Sequence, residues 1–286
     1  MKQALNATGR GTNAAAMHRP NYFRRAALLV GGALVVGLAA YGAKEAPYVL
    51  AEGRLNAEKA KVVRMLAGEF PQLDAGDVRR MQGARILVVP VRKLEKEGEE
   101  LLGNSEVAAI SYDQGRGQYV MKFALQELDV GRPEHVVAHE EVHVGAGSEW
   151  SNDPLAKARG ERLVPTYFYE GATEMMARQA LADSGAETRA PVYGDALVLA
   201  ALVEGMIGRQ TFRQAYFEQD RALLAESFDA ALGKGSFGKI VLDSKGAEDA
   251  MARLDAHLKG SGRSYVQVFG KGKEALLAEV ESRYGL

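Results

Sequence analysis

The chain has 286 residues, of which 36 are basic, 37 are acidic and none is cysteine. Without cysteine there are no disulfides, thiolate metal ligands or cysteine nucleophiles, so His, Asp or Glu would have to bind any transition metal. Residues 1–43 contain five basic residues and no acid, so the other 31 basic and all 37 acidic residues give residues 44–286 a net charge of −6. That part has no basic stripe with interleaved aromatic residues, so we expect no nucleic-acid partner.

The N-terminal region has the pattern of a membrane-targeting segment. Residues 1–25 form a basic leader, and residues 26–43, AALLVGGALVVGLAAYGA, contain no charge. As a helix this stretch would be about 27 Å long, close to the hydrocarbon thickness of a bilayer. Arg24 and Arg25 favour a cytoplasmic N-terminus. The sequence predicts a single-pass membrane anchor, or a cleaved signal peptide and a secreted protein, with the C-terminal domain outside the cytoplasm; a buried core helix is the alternative.

Helical and strand patterns follow this segment. Residues 44–84 predict a helical juxtamembrane region, because charged and apolar residues recur at helical spacing over 55–70. RILVVPV, residues 85–91, is a short run rich in β-branched residues and predicts a strand. The apolar stretches on either side of QGRG, residues 114–117, predict a β-hairpin.

The rest of the chain predicts mostly helices. One helix is expected to begin at Pro133, one after Pro165, and several more follow from Tyr193 onward. GKGSFGKIVL, residues 233–242, matches the glycine-rich loop of protein kinases, but the other kinase motifs do not follow it, so we expect a loop between helices and no bound nucleotide. The predicted fold class is α+β, with a small antiparallel sheet followed by a mainly helical domain over residues 85–286.

The segment HVVAHEEVH, residues 135–143, has the spacing of a metal site. Residues four apart on a helix lie on the same face, so His139 and His143 can both direct an imidazole nitrogen toward one ion. Glu140 lies next to the first histidine without needing to bind the ion, which suits a general base. This is the H-E-x-x-H arrangement of zinc metalloproteases.

Two neighbouring polar residues do not fit the same ion. His135 would lie about 12 Å along the helix axis from His143, so we expect it to be a surface or packing residue. Glu141 points about 100° away from the His139 face, and we expect it to be structural.

A catalytic zinc needs a third protein ligand, and YEGATEMMAR, residues 169–178, supplies a candidate. Glu170 and Glu174 lie one turn apart on the same face of a predicted helix. One carboxylate can then bind the metal while the other hydrogen-bonds the far nitrogen of a ligand histidine. The alternative is that both are part of a solvated helix face.

HEEVH followed by YEGATE resembles the gluzincins, the group that includes thermolysin, neprilysin and related aminopeptidases. The resemblance covers residues 135–178, with a longer interval between the two motifs than in the best-known members. It implies a zincin-like domain with one zinc ion per chain, bound by His139, His143 and Glu170. It also implies that Glu140 is the general base for a zinc-bound water.

The resemblance implies further roles. Glu174 takes the place of the carboxylate behind a ligand histidine. Tyr193 or His257 would stabilise the oxyanion, and Tyr193 is preferred because it is nearer in sequence and begins a predicted helix. The strand GQYVMKF, residues 117–123, resembles the edge strand to which gluzincins pair an extended substrate.

The function expected from the sequence is zinc-dependent hydrolysis of peptide bonds in a peptide or protein substrate by a membrane-anchored endopeptidase. No aminopeptidase G-A-M-E-N segment is present, so exopeptidase action is not supported. Two alternatives remain: a non-catalytic metal-stabilised binding domain, and a membrane-tethered adaptor without metal.

Overall fold

The computed structural model describes residues 46–90, 108–113, 115–124, 133–147, 158, 160, 162–182 and 193–286. Within these residues, Tyr48–Leu286 belong to one compact unit, and residues on both sides of position 85 share its hydrophobic core. In chain order the elements are α1 (Ala46–Glu69), α2 (Ala75–Gly83), β1 (Arg85–Val89), β2 (Ala108–Asp113), β3 (Gln118–Ala124), α3 (Pro133–Ala146), α4 (Thr166–Ala182), α5 (Gly194–Ile207), α6 (Arg209–Phe217), α7 (Arg221–Leu232), a π-helix (Gly238–Leu242), α8 (Ala247–Gly260), α9 (Tyr265–Phe269) and α10 (Lys273–Tyr284).

The described part of the chain is mostly helical, and its three strands form one mixed sheet with the order β1-β3-β2. β2 and β3 pair antiparallel across the turn at residues 115–117, which confirms the predicted hairpin. β1 and β3 pair in parallel, so the prediction of an antiparallel sheet is wrong. The cause is a pairing between distant residues, in which Ile86 lies opposite Met121. Local sequence patterns do not encode such a register.

The position of β3 also corrects the substrate-strand prediction. GQYVMKF was expected to form a free edge, but β3 lies between β1 and β2. Val120 is opposite Arg85 on one side and Ser111 on the other. The backbone groups of β3 are therefore used within the sheet, and the outer strands among those described are β1 and β2.

Helix α4 lies close against α5 because Gly171 has no side chain. A Cβ atom at this position would lie 2.3 Å from the backbone carbonyl of Ala196. Phe168, three residues before Gly171 on α4, and Leu197, the residue after Ala196 on α5, are fully buried. Since α4 also packs against α3, the approach permitted by Gly171 sets the position of α4 in the core.

The glycine-rich segment 233–242 is more ordered than the predicted loop. It ends in the π-helix, which buries Ile240 and Val241 in the hydrophobic core. The carboxylate of Asp229 accepts hydrogen bonds from backbone N–H groups at the start of the segment. Burial of the two aliphatic side chains explains why the segment is helical in spite of its glycines.

The described helices do not support the predicted membrane span. Among the residues that the structure describes, no helix has both the length and the apolar character needed to cross a bilayer. Helix α1 is long enough, but charged residues occur throughout its length. The predicted span, residues 26–43, lies outside the described residues. The prediction of a single-pass membrane protein with an extracytoplasmic domain therefore lacks support and is withdrawn.

Candidate metal centre

Three side chains from α3 and α4 converge on one point. The Nε2 atoms of His139 and His143, one turn apart on α3, lie 3.2 Å from each other. Oε2 of Glu170 on α4 lies 3.1 Å from each of these nitrogens. Each of the three residues therefore presents one donor atom to a common centre, and the predicted metal ligands are brought together.

The spacing of these atoms fits a metal ion. Ligand atoms about 2.0 to 2.1 Å from a tetrahedral zinc are separated from one another by roughly 3.3 Å. The observed separations of 3.1 and 3.2 Å are close to this value. The group formed by His139, His143 and Glu170 could therefore hold a metal ion, and it is the only such group found among the described residues.

Glu174 lies behind the first histidine. Its Oε2 is 3.0 Å from Nδ1 of His139, and its Oε1 is 3.0 Å from Nε2 of His135. Nε of Arg178 also donates to Oε1 at 2.7 Å. His135 is thus a buried packing residue that contacts Glu174, and it does not belong to the group of metal ligands.

The histidine and the two carboxyl groups of the site shift one another's pKa values in opposite directions. Burial opposes protonation of His139, but hydrogen bonds with Glu170 and Glu174 and their negative charges raise its pKa well above the ordinary value. Burial would raise the pKa of both carboxyl groups, yet the nearby histidines hold each pKa well below its usual range. Without a metal, a proton on His139 therefore balances part of the negative charge.

Glu140 is buried beside the three candidate ligands. Burial raises the pKa of its carboxyl group, the nearby His139 and His143 oppose the rise, and the negative charge of Glu170 adds to it. The Glu140 carboxyl group is therefore electrostatically coupled to all three ligands.

Two aromatic rings flank the histidines. The ring of Tyr193, the N-cap residue of α5, stacks on His139 with centroids 5.8 Å apart. The ring of Tyr169 lies 4.8 Å from that of His143. The other candidate for oxyanion stabilisation, His257, contacts the Leu232 carbonyl oxygen at the end of α7 instead. Of the two predicted candidates, Tyr193 is therefore the one beside the centre.

Sequence patterns did not identify Thr173 or Arg178. Oγ1 of Thr173 lies 3.3 Å from Nδ1 of His143, so each candidate ligand histidine has a polar group behind it. Thr173 is one residue before Glu174 on the buried side of α4, where an isolated hydroxyl is uncommon. Its polarity within a buried helix is the signal that could have identified it.

Glu141 lies on another face of α3 and takes no part in the centre. Both of its carboxylate oxygens are buried and have no hydrogen-bond partner among the described residues. Burial raises its pKa well above the ordinary value, the positive charge of Lys59 opposes this rise, and Glu140 adds to it. Nζ of Lys59 donates instead to the carbonyl oxygens of Gln82 and Ala84 at the end of α2.

Comparison of the chain with protein-family models, with curated proteins and with solved structures found no match in any of the three. No relative therefore contributes to the assignment of a function. A function can therefore be inferred only from the geometry and chemistry of the described residues.

Proposed function

We propose that the protein is a zinc-dependent hydrolase that cleaves peptide bonds, with one zinc ion per chain bound by His139, His143 and Glu170. The observation that carries the proposal is the convergence of these three donor atoms beside the buried carboxyl group of Glu140. Two imidazoles and one carboxylate suit zinc. Structural zinc sites have four protein ligands, whereas three ligands and an open position are typical of catalytic sites.

When bound, zinc would act as a Lewis acid toward the scissile carbonyl and would favour ionisation of water. Glu140 would accept the proton of the attacking water and later deliver it to the nitrogen of the leaving amine. Burial raises the pKa of Glu140, which makes its carboxylate a stronger base than an exposed one. Glu174 would keep His139 oriented through the hydrogen bond at Nδ1.

Tyr193 is the proposed stabiliser of the oxyanion. Its ring is stacked on a ligand histidine, so its hydroxyl belongs to a side chain that is already held beside the centre. A phenol hydroxyl can donate a hydrogen bond to the negative oxygen that develops on the attacked carbonyl. Such a donor contributes to the transition state more than to substrate binding.

The proposed substrate is an extended peptide, and β2 is the strand that would pair with it. Among the described strands, β2 is an outer strand that also contacts α3, the helix that carries the histidines. Free backbone groups on such an edge bind an extended chain through main-chain hydrogen bonds. The half-exposed side chain of Tyr112 on β2 would lie beside that peptide.

The test uses the full chain and compares wild type with Glu170→Ala and Glu140→Gln. Zinc content by mass spectrometry should be about one per chain in wild type and in Glu140→Gln, and far lower in Glu170→Ala. Cleavage of a fluorogenic peptide library should be detectable in wild type and lost in Glu140→Gln. Glu134→Gln makes the same chemical change on the same helix outside the centre and serves as the control.

Each outcome separates the competing functions. Full zinc content without cleavage of any peptide in wild type would favour the metal-stabilised binding domain. Absence of zinc from wild type after reconstitution would contradict the proposed centre. Loss of cleavage in both Glu140→Gln and Glu134→Gln would show that the effect is not specific to the base.

A further inference from the structure

The hydroxyl of Thr173 contacts three different groups inside the protein. Oγ1 is 3.3 Å from Nδ1 of His143, 2.5 Å from the hydroxyl oxygen of Tyr216 and 2.9 Å from the carbonyl oxygen of Tyr169. Thr173 is fully buried, so water does not compete for these contacts. The hydrogen bonds of this hydroxyl can therefore be assigned by counting donors and acceptors.

A threonine hydroxyl has one proton to donate and can accept two hydrogen bonds. The Tyr169 carbonyl oxygen can only accept, so the proton of Thr173 belongs there. Oγ1 then accepts one hydrogen bond from the Tyr216 hydroxyl and one from His143. For this, His143 must carry its proton on Nδ1, which leaves the lone pair of the ring on Nε2.

We infer that Thr173 is a positioning residue that fixes His143 in the tautomer and orientation required of a metal ligand. The atom left free by this tautomer, Nε2, is the one that lies 3.1 Å from Glu170. The inference rests on the proposed metal centre and adds to it the residue behind its second histidine. A hydrogen bond to the far ring nitrogen is a general means of orienting a ligand histidine.

The two histidines are held by different chemistry. Nδ1 of His139 faces the carboxylate of Glu174 at 3.0 Å, a charge-assisted contact. Nδ1 of His143 faces the neutral hydroxyl of Thr173 at a longer distance. His143 is therefore the less strongly polarised ligand.

Tyr216 on α6 supports the threonine from the other side. Its ring stacks on that of Tyr169 with centroids 5.7 Å apart. Burial raises the pKa of Tyr216, so its hydroxyl keeps the proton that it donates. Through this contact, a helix that supplies no metal ligand helps to hold His143 in place.

The test compares Thr173→Val, which removes the hydroxyl at nearly constant shape, with Thr173→Ser, which keeps it. Dissociation constants for Zn²⁺ and Co²⁺ are measured on the full chain by chelator competition. Thr173→Val should bind about tenfold more weakly than wild type, and Thr173→Ser should stay within about threefold. Tyr265→Phe, which removes a hydroxyl that contacts Asp255 away from the centre, should bind as wild type does.

A spectroscopic measurement on metal-free wild type tests the tautomer without any variant, because in the zinc-loaded protein coordination by Nε2 would itself place the proton on Nδ1. Long-range proton–nitrogen correlation should place the His143 proton on Nδ1, in slow exchange with water. Thr173→Val should lose the slow exchange, and Thr173→Ser should restore it. A change in folding stability alone would not move this proton from one nitrogen to the other.

The two proposals fail in different ways. A wild-type protein that binds neither ion would overturn the metal centre and this inference with it. Normal metal binding by a protein whose metal-free form carries the His143 proton on Nε2, or equal affinities in wild type and Thr173→Val, would overturn the role of Thr173 alone. If Thr173→Val does not fold, the position of the proton in metal-free wild type decides.

Discussion

Arg178 donates a hydrogen bond from Nε to Oε1 of Glu174 at 2.7 Å, and both side chains are almost completely buried. The guanidinium also donates to the carbonyl oxygen of Tyr284 on α10. The carboxylate that contacts His139 is thus connected to a helix that supplies none of the candidate ligands found among the described residues. The buried arginine therefore connects the candidate metal centre to the packing of α10.

Replacing Arg178 should weaken both the fold and the metal centre. Arg178→Met would remove the arginine partner of the buried Glu174 carboxylate and leave only the two histidines beside it, which costs at most about 3 to 5 kcal/mol of unfolding free energy. Metal affinity should fall about tenfold because Glu174 orients His139. Denaturant unfolding and chelator competition measure the two effects. As a control, Arg283→Met removes an exposed partner of Glu279 and should lower the unfolding free energy by less than about 1 kcal/mol. Equal losses of unfolding free energy in the two variants would contradict the prediction.

Metal binding should become tighter as the pH rises. The pKa of His139 is raised above its ordinary value of 6.5, so the metal-free protein carries a proton there that the ion must displace. The ion should therefore raise the melting temperature more at high pH than at low pH. Calorimetry of metal-free and metal-loaded protein between about pH 5 and about pH 9 measures this difference. A constant difference across that range would contradict the expected displacement of a proton.

Without metal, the unfolding free energy of the protein should fall as the pH rises above neutral. Because the folded pKa of His139 is raised, its stabilising contribution is fully present below pH 6.5 and is lost as the pH rises through the folded value. The pKa values of Glu170 and Glu174 are depressed, so their contribution is present above pH 4.5 and is lost as the pH falls. Unfolding free energies of metal-free protein should therefore be highest between these limits, and His139→Gln should flatten the alkaline decline.

Gly171→Ala should disturb the centre through the backbone. The added Cβ would lie 2.3 Å from the Ala196 carbonyl, so α4 and α5 would have to move apart and displace the adjacent Glu170. We expect a loss of about 1 to 3 kcal/mol in unfolding free energy, together with weaker metal binding. Gly205→Ala on α5 meets no atom within 4 Å and should stabilise the helix by about 0.5 to 1 kcal/mol. Wild-type metal affinity in Gly171→Ala would show that the helix contact does not set the ligand position.

Glu141→Gln should stabilise the protein at neutral pH. The unfolded carboxyl group ionises near pH 4.5, whereas the folded group stays protonated to a much higher pH because it is buried. The resulting destabilisation of wild type grows as the pH rises above 4.5 and is absent well below it. Glu141→Gln removes this titration, so its unfolding free energy should exceed that of wild type at pH 7 by about 1 kcal/mol or more. Chemical unfolding at acid and neutral pH tests the sign, and a larger gain at acid pH would refute it.

Local spacing was enough to predict the core of the site, because its geometry is set within one or two turns of helix. His139 and His143 are four apart, and so are Glu170 and Glu174, so each pair shares a face wherever the helix lies. What the sequence could not provide depends on contacts between distant segments. The contact of Thr173 with Tyr216 joins α4 to α6.

The sheet illustrates the same limit. Turn residues placed the hairpin of β2 and β3 correctly, because a hairpin is a local structure. The parallel pairing of β1 with β3 joins Arg85 to Val120, and it moved GQYVMKF from the expected edge to the middle of the sheet. The prediction that this strand is a substrate-binding edge is therefore wrong, because β3 is the middle strand of the sheet.

Helix α3 brings three histidines and two glutamates into the interior, and four of these five residues are buried. Removing such groups from water is unfavourable, and for His135 and His139 the compensating contacts with Glu174 form only once α4 is in place. We therefore expect α3 to dock late in folding. By then, α4 and α5 would already be packed together in the folding nucleus. Conservative substitutions on the apolar positions of α3 should then give φ-values near zero, with higher values at the contact between α4 and α5. The segment most important for the proposed chemistry would be the one that contributes least to the speed of folding.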